Sequence, residues 1–208
     1  MASLFTHALV GTALGQAGTS DWRKDWRFWC LIIVCSILPD LDSIGFYMGV
    51  PYRDLWGHRG MMHSVVFAAI LAVCLSTPFR NVLRRPLALA GLLFVVTVSH
   101  GVLDAMTDGG LGVAFFSPFN QQRFFFSWRP IHVSPIGLKR FFSNRGLRIM
   151  SSEILWIWCP TLGLIIAIKA AQLWRRYFAA KRKTQPAYAE RTGEVRSSPE
   201  EKASGNPL

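Results

Sequence analysis

LALAGLLFVVTVSHGVLDAMTDGG, residues 87–110, is the stretch that decides the fold. From Leu87 to Leu103 it is apolar for long enough to cross a bilayer, for which about 17–25 residues suffice. Its end carries His100 and Asp104. At i and i+4 these two share one helical face. Ionisable groups in such a segment are costly and mark functional sites by default. One helix therefore offers both a membrane anchor and the beginning of a site.

Three further apolar stretches flank it: Phe28 to Leu38, Met61 to Phe79, and Ile154 to Leu173. The last two are long enough to span. The first is marginal and ends at Pro39, which has no backbone N–H to donate. With the apolar amino-terminal residues it predicts a re-entrant or short helical hairpin. The expected fold is an all-α integral membrane bundle of about 3–4 spanning helices, with no internal repeat. Residues 105–150 differ, with Pro118, Pro130, Pro135, several glycines and the aromatic run FFFSW at 124–128. Arg123, Arg129, Lys139, Arg140, Arg145 and Arg148 make this segment a basic interfacial loop, with a short helix expected near 137–143. From Ala179 the chain turns polar and predicts a disordered cytoplasmic tail, 179–208, behind a membrane-embedded domain, 1–178.

Composition agrees. Hydrophobic residues make up 51% and charged residues 17%, with 8 Trp and 15 Phe, which suits a membrane interface better than a small soluble core. The net charge of +11 alone fits nucleic acid, anionic lipid or cytoplasmic loops. The apolar stretches favour the last two, so membrane lipids are the expected partners and nucleic acid is not. Cys30, Cys35, Cys74 and Cys159 sit singly in apolar runs and form no C-x-x-C pair. They read as buried thiols, so a metal here is held by histidine and carboxylate. The amino terminus lacks a basic residue before Arg23 and is expected to be retained rather than cleaved as a signal peptide. Basic clusters at 23–27, 80–85 and 175–183 place one face, and the carboxyl terminus, in the cytoplasm.

The candidate ligands then converge. Asp40 and Asp42 follow the first apolar stretch, His58 and His63 precede the second, and His100, Asp104 and Asp108 end the third. If helix direction alternates, all three groups meet at the face opposite the basic clusters, toward the periplasm or exterior. Imidazole and carboxylate together suit Zn²⁺ first, or Mn²⁺ or Fe²⁺. Each position also has a plainer explanation. Asp40 and Asp42 can cap a helix, Asp108 can be a turn residue before Gly109-Gly110, and His7 can be a hydrogen-bonded core histidine. His132 reads as an ordinary loop residue. Glu153 can be a first-turn carboxylate favoured by the helix dipole, or a general base or orienting group. Arg59 lies i, i+4 from His63. Arg123 and Arg129 can face lipid, or can bind a phosphate through the planar guanidinium fork.

His7, PDLD at 39–42, HRGMMHS at 58–64, HGVLDAMTDGG at 100–110, SPF at 117–119, RPIHVSPIG at 129–137 and SEILWIW at 152–158 together resemble the YdjM-like family of bacterial inner-membrane proteins. Those proteins are described as LexA-regulated, metal-dependent hydrolases. The resemblance covers about residues 1–178 and implies a multi-pass hydrolase of the inner, cytoplasmic membrane, with its substrate open. More loosely, the chain is similar to zinc-dependent phospholipase C and nucleases of that fold. That likeness implies His7, Asp40, Asp42, His58, His63, His100, Asp104 and Asp108 as metal ligands or their supports. Those enzymes begin with a Trp ligand where this chain has Met1-Ala2, so one or two ions are expected rather than three. The function this points to is hydrolysis of an ester, a phosphoester of a lipid or lipid-linked molecule above others. Asp42 or Glu153 would manage protons, Arg59 would assist, and Arg123 and Arg129 would bind substrate. The rivals are a non-catalytic membrane protein with a structural His/Asp site and, third, a metal or proton transporter. The position of the ligands at helix ends counts against the transporter.

Overall fold

The computed structural model describes residues 1–83, 85–134 and 144–194. Their regular structure is helical, with two isolated β-bridges, Thr107 with Ile131 and Val113 with Phe124, in place of strands among the described residues. Helix α1 (Leu4–Gly15) is capped by Ser3, whose side chain accepts the Thr6 N–H. Helix α2 (Trp26–Ile37) is capped likewise by Asp25, which accepts from Arg27. Such caps satisfy donors that have no partner in the first turn. Pro39 ends the α-helical bonding without ending the rod. A 3₁₀ segment, Leu38–Met48, carries the chain on to Gly49, which is left-handed at φ 79°.

That continuation reverses one expectation. Trp26–Met48 is 23 residues and long enough to cross a membrane, as are Pro86–Ala105 and Gly146–Lys181. The stretch from Met61 to Phe79 is not. Its first residues form a 3₁₀ turn, Met61–His63, and helix α3 (Val65–Ser76) lasts only 12 residues. At 1.5 Å per residue α3 is about 18 Å long, against about 30 Å of bilayer hydrocarbon. The short α4 (Arg80–Leu83) leads to α5 (Pro86–Ala105), with Pro86 in the first turn, where its missing N–H costs nothing. Helix α6 (Asn144–Glu153), a π-helical turn (Ile154–Trp158) and α7 (Cys159–Glu194) follow in one run. Pro160, which cannot donate to the Trp156 carbonyl, sits where the π turn gives way to α7.

The chain divides into two units, Met1–Gly163 and Leu164–Leu208. In the first, α1 packs on α2, and α1, α2 and α3 all pack on α5. Phe28, Ile32 and Cys35 of α2 meet Leu89, Leu93 and Val96 of α5 in a buried apolar core. Gly11 lets α1 approach α2 closely, because a Cβ there would lie 2.6 Å from the Ser36 Cβ. Small residues at such crossings are how helices pack without a strong hydrophobic drive. Ile33, Ile70, Val73, Leu87 and Val95 are exposed on the outside, as a lipid-facing bundle requires.

The second unit departs from the composition-based expectation. Helix α7 continues to Glu194, so residues 179–194 are helical rather than a disordered tail. Ala, Lys, Arg and Glu are strong helix formers, and extending an existing helix avoids the cost of nucleation. Residues 195–208, and the short helix expected at 137–143, lie outside the described residues.

Candidate metal centre

Three segments place their ends together. Asp40 and Asp42 lie on the 3₁₀ extension of α2, His63 ends the 3₁₀ turn before α3, and His100 and Asp104 lie in the last turns of α5. All five are buried. One potential ligand atom from each of Asp40, His63, His100 and Asp104 lies within 4.8 Å of the others. The His63 and His100 Nε2 atoms face each other at 3.1 Å. Asp40 Oδ1 is 3.3 Å from His100 Nε2 and 3.9 Å from His63 Nε2, and Asp104 Oδ2 is 3.5 Å from His63 Nε2.

The other ring nitrogens explain why this arrangement is unusual. His100 Nδ1 is 2.7 Å from the Ser36 carbonyl, which can only accept, so Nδ1 carries the hydrogen. His63 Nδ1 is 2.9 Å from Asp42 Oδ2, at ion-pair distance though off the hydrogen-bonding direction. With its proton, His63 donates from Nε2 to the His100 Nε2 lone pair; a cation taking that proton's place would meet both Nε2 atoms at one point. Beside them, neither oxygen of the buried Asp40 carboxylate has a hydrogen-bond partner. Two ring nitrogens and two carboxylates around one point form a donor set that could hold a metal ion. Burial opposes charge on His63, but Asp42 and Asp104 outweigh it and push its pKa up to about 9.

A second grouping, Asp42, His58 and His63, also brings its donors within 4.8 Å. Here the protein supplies the partners itself. Asp42 Oδ1 is 2.6 Å from His58 Nδ1, and Oδ2 accepts the Arg59 N–H at 2.9 Å. Asp42 thus orients two imidazoles and is not left bare.

Arg59 is fully buried in a left-handed conformation at φ 64°. That conformation costs a non-glycine residue roughly 1–2 kcal/mol. Its guanidinium offsets the strain by donating to Asp104 Oδ2 at 3.0 Å, the Gly109 carbonyl at 2.8 Å and Thr107 Oγ1 at 2.9 Å. The turn around it depends on Gly60, where a Cβ would lie 2.3 Å from the Leu55 carbonyl oxygen. Asp104 Oδ1 in turn accepts the Ala2 N–H at 2.8 Å.

His7 stacks on His100, with ring centroids 3.7 Å apart, and its Nε2 is 3.4 Å from Asp104 Oδ1. It walls the centre rather than joining the four closest donors. Glu153 is buried but turned to the amino-terminal segment: it accepts from the Ser3 N–H, from Ser3 Oγ and from Thr6 Oγ1. It clasps α1 to the end of α6.

Three other residues singled out in the sequence lie apart from the four donors. Helix α5 stops at Ala105, so Asp108 leaves the face of His100 and Asp104. Its Oδ2 instead lies 2.7 Å from His132 Nδ1, and its Oδ1 accepts the Val133 N–H at 2.8 Å. Partial burial raises its pKa, but these bonds hold the carboxyl below the usual range. Arg123 spends its donors on the carbonyls of His58, Tyr52 and Asp54 and lies over the Tyr52 ring. It braces the 52–58 loop. Arg129 is exposed, over the Phe125 ring. Sequence reasoning missed the Ser36 carbonyl, since a backbone acceptor leaves no mark in a sequence. It also passed over His132, whose partner is 24 residues away.

A family model described as YdjM inner membrane protein matches residues 1–178. The chain is 34% identical over 166 residues to inner membrane protein YbcI of Escherichia coli (strain K12), covering 79% of this chain and 95% of that protein. No solved structure matches. The match takes in every residue of the cluster, and the chain belongs to the YdjM inner membrane protein family.

Proposed function

We propose that this protein is a membrane-bound metal-dependent hydrolase holding one divalent ion between Asp40, His63, His100 and Asp104. The observation that carries the reading is the convergence of the His63 and His100 Nε2 atoms beside the unpartnered, buried Asp40 carboxylate. Nitrogen and oxygen donors without thiolate suit Zn²⁺, Mn²⁺ or Fe²⁺. One ion is proposed, because Asp42 is already satisfied by His58 and the Arg59 N–H. A divalent cation held there supplies Lewis acidity and water that ionises near neutral pH.

The chain's own groups have distinct tasks. The Ser36 carbonyl and Asp42 fix the imidazole orientations, as partners behind metal ligands do. Arg59 balances Asp104, and Asp42 stabilises positive charge on His63 or His58 when either ring takes up a proton. The substrate we propose is a phosphoester of a lipid or lipid-linked molecule, reached from the periplasmic face, with the carboxyl terminus in the cytoplasm. The basic clusters support that orientation. A carboxyl-terminal alkaline phosphatase fusion with strong activity would reverse it.

The burial of all four donors favours a second reading, a closed structural site. Metal analysis combined with a phosphoester panel separates the two. The hydrolase reading expects bound metal, turnover of a phospholipid or lipid-linked phosphate, and loss of both in a folded Asp104→Asn variant. Stoichiometric metal without turnover of phosphoesters, carboxylesters or amides favours the structural site. Absence of metal from the wild-type protein sinks both.

A further inference from the structure

Beyond the metal centre, a cavity of about 260 Å³ opens past the end of α5. Asp108, His132, Val133, Arg148 and Ile149 line it. It is smaller than the roughly 300–1,000 Å³ of sites that enclose whole small molecules, so it suits part of a ligand, such as a headgroup.

The polar groups here are complementary to an anion. Asp108 has committed both oxygens, one to His132 Nδ1 and one to the Val133 N–H. A carboxylate only accepts, so the imidazole keeps hydrogen on Nδ1. Nε2 is then an acceptor for a P–OH group, or a second donor when the ring is protonated. The His132 side chain is 57% exposed, so a ligand can reach it. Arg148 has no ion pair among the described residues. Its planar fork matches phosphate geometry.

The position adds the second half of the ligand. Arg148 lies in the first turn of the 36-residue candidate span Gly146–Lys181, ahead of the apolar stretch that begins at Ile154, where a long cationic side chain suits a membrane surface. Trp128 and Trp156, both exposed, meet edge to face at 5.2 Å and provide an interfacial aromatic pair. Val133 and Ile149 give the cleft apolar wall between its charged groups. We propose that this cleft binds the phosphate group of an anionic amphiphile, with Arg148 and His132 as its contacts.

Binding, not turnover, tests this, so the outcome is independent of hydrolysis at the metal centre. The full chain in phosphatidylcholine nanodiscs, with histidine rings labelled for NMR, is titrated with phosphatidic acid, glycerol phosphate and inorganic phosphate. The His132 ring resonance, identified by its loss in His132→Gln, is expected to shift on titration. Arg148→Gln is expected to weaken binding about tenfold, the scale of one lost charged hydrogen bond. Arg148→Lys recovers part of it, and metal content stays unchanged in both variants. A shift with all three probes supports recognition of the phosphate alone. A shift with phosphatidic acid only supports a site that also needs acyl chains. An unmoved His132 resonance in the wild-type protein, or equal affinity in wild type and Arg148→Gln, overturns the proposal.

Discussion

The protein carries two histidine–aspartate sites, and burial makes them opposites. His132 and Asp108 are half exposed, and their contact is complete: each carboxylate oxygen has a donor. His63, His100 and Asp40 are buried, and their contact is incomplete: the Nε2 atoms oppose each other and Asp40 has no donor at all. A half-exposed pair can draw on water for whatever the protein omits. A buried pair cannot, and an unmatched buried charge costs several kcal/mol. The same two residue types therefore make a finished hydrogen bond in one place and, in the other, an unfinished set of donors that could hold an ion.

The sharpest break in that contrast is substitution of one histidine from each site. His100→Ala is expected to empty the centre of metal, while His132→Ala leaves metal content at the wild-type level. Elemental analysis of the two purified proteins decides it, and equal metal in both removes the distinction.

A smaller but still large effect is expected at Arg59, which offsets the charge of Asp104 inside the bundle. Arg59→Met leaves that carboxylate without its guanidinium and is expected to destabilise the fold by about 3–5 kcal/mol. Thermal unfolding in detergent measures this. The same change at the exposed Arg129 should move the midpoint little, since surface charges contribute about 0–1 kcal/mol.

The mildest expectation concerns pH. The folded pKa of His63 is raised to about 9, so the metal-free centre holds a proton there at neutral pH. That proton's contribution to stability is full below the unfolded value of about 6.5 and is lost as pH rises through about 9. A metal must displace it, so affinity should rise with pH between about 7 and 9, by no more than tenfold per unit. Competition with a chelator across that range checks the slope. Asp42→Asn removes one of the charges that hold the proton and should flatten it.

Much of the site was legible because its residues stand where apolar stretches end. Asp40, His63, His100 and Asp104 could be grouped from alternating helix direction alone. Asp108 could not be separated from them, since the i, i+4 pattern continues past Ala105 while the helix does not. Arg59 and Glu153 were visible as charges, but their partners, Asp104 and the Ser3–Thr6 turn, are tertiary. The bundle was legible as helical and membrane-bound, but two apolar segments exchanged roles. Periodicity carries no sign that a 3₁₀ segment prolongs α2 beyond Pro39, or that a tight turn shortens the helix after His63.

The clasp between Ser3 and Glu153 gives this protein a timetable. The two residues are 150 positions apart in the chain. At about 5–20 residues per second, the ribosome needs roughly 8–30 s to make the second after the first. Asp40, His63, His100 and Asp104 are all synthesised within that interval, before the carboxylate that fastens α1 exists. A nascent chain thus has the complete set of donors, and the contacts of α1 with α2 and α5, before its clasp to α6 can form, and synthesis of Glu153 shuts that period.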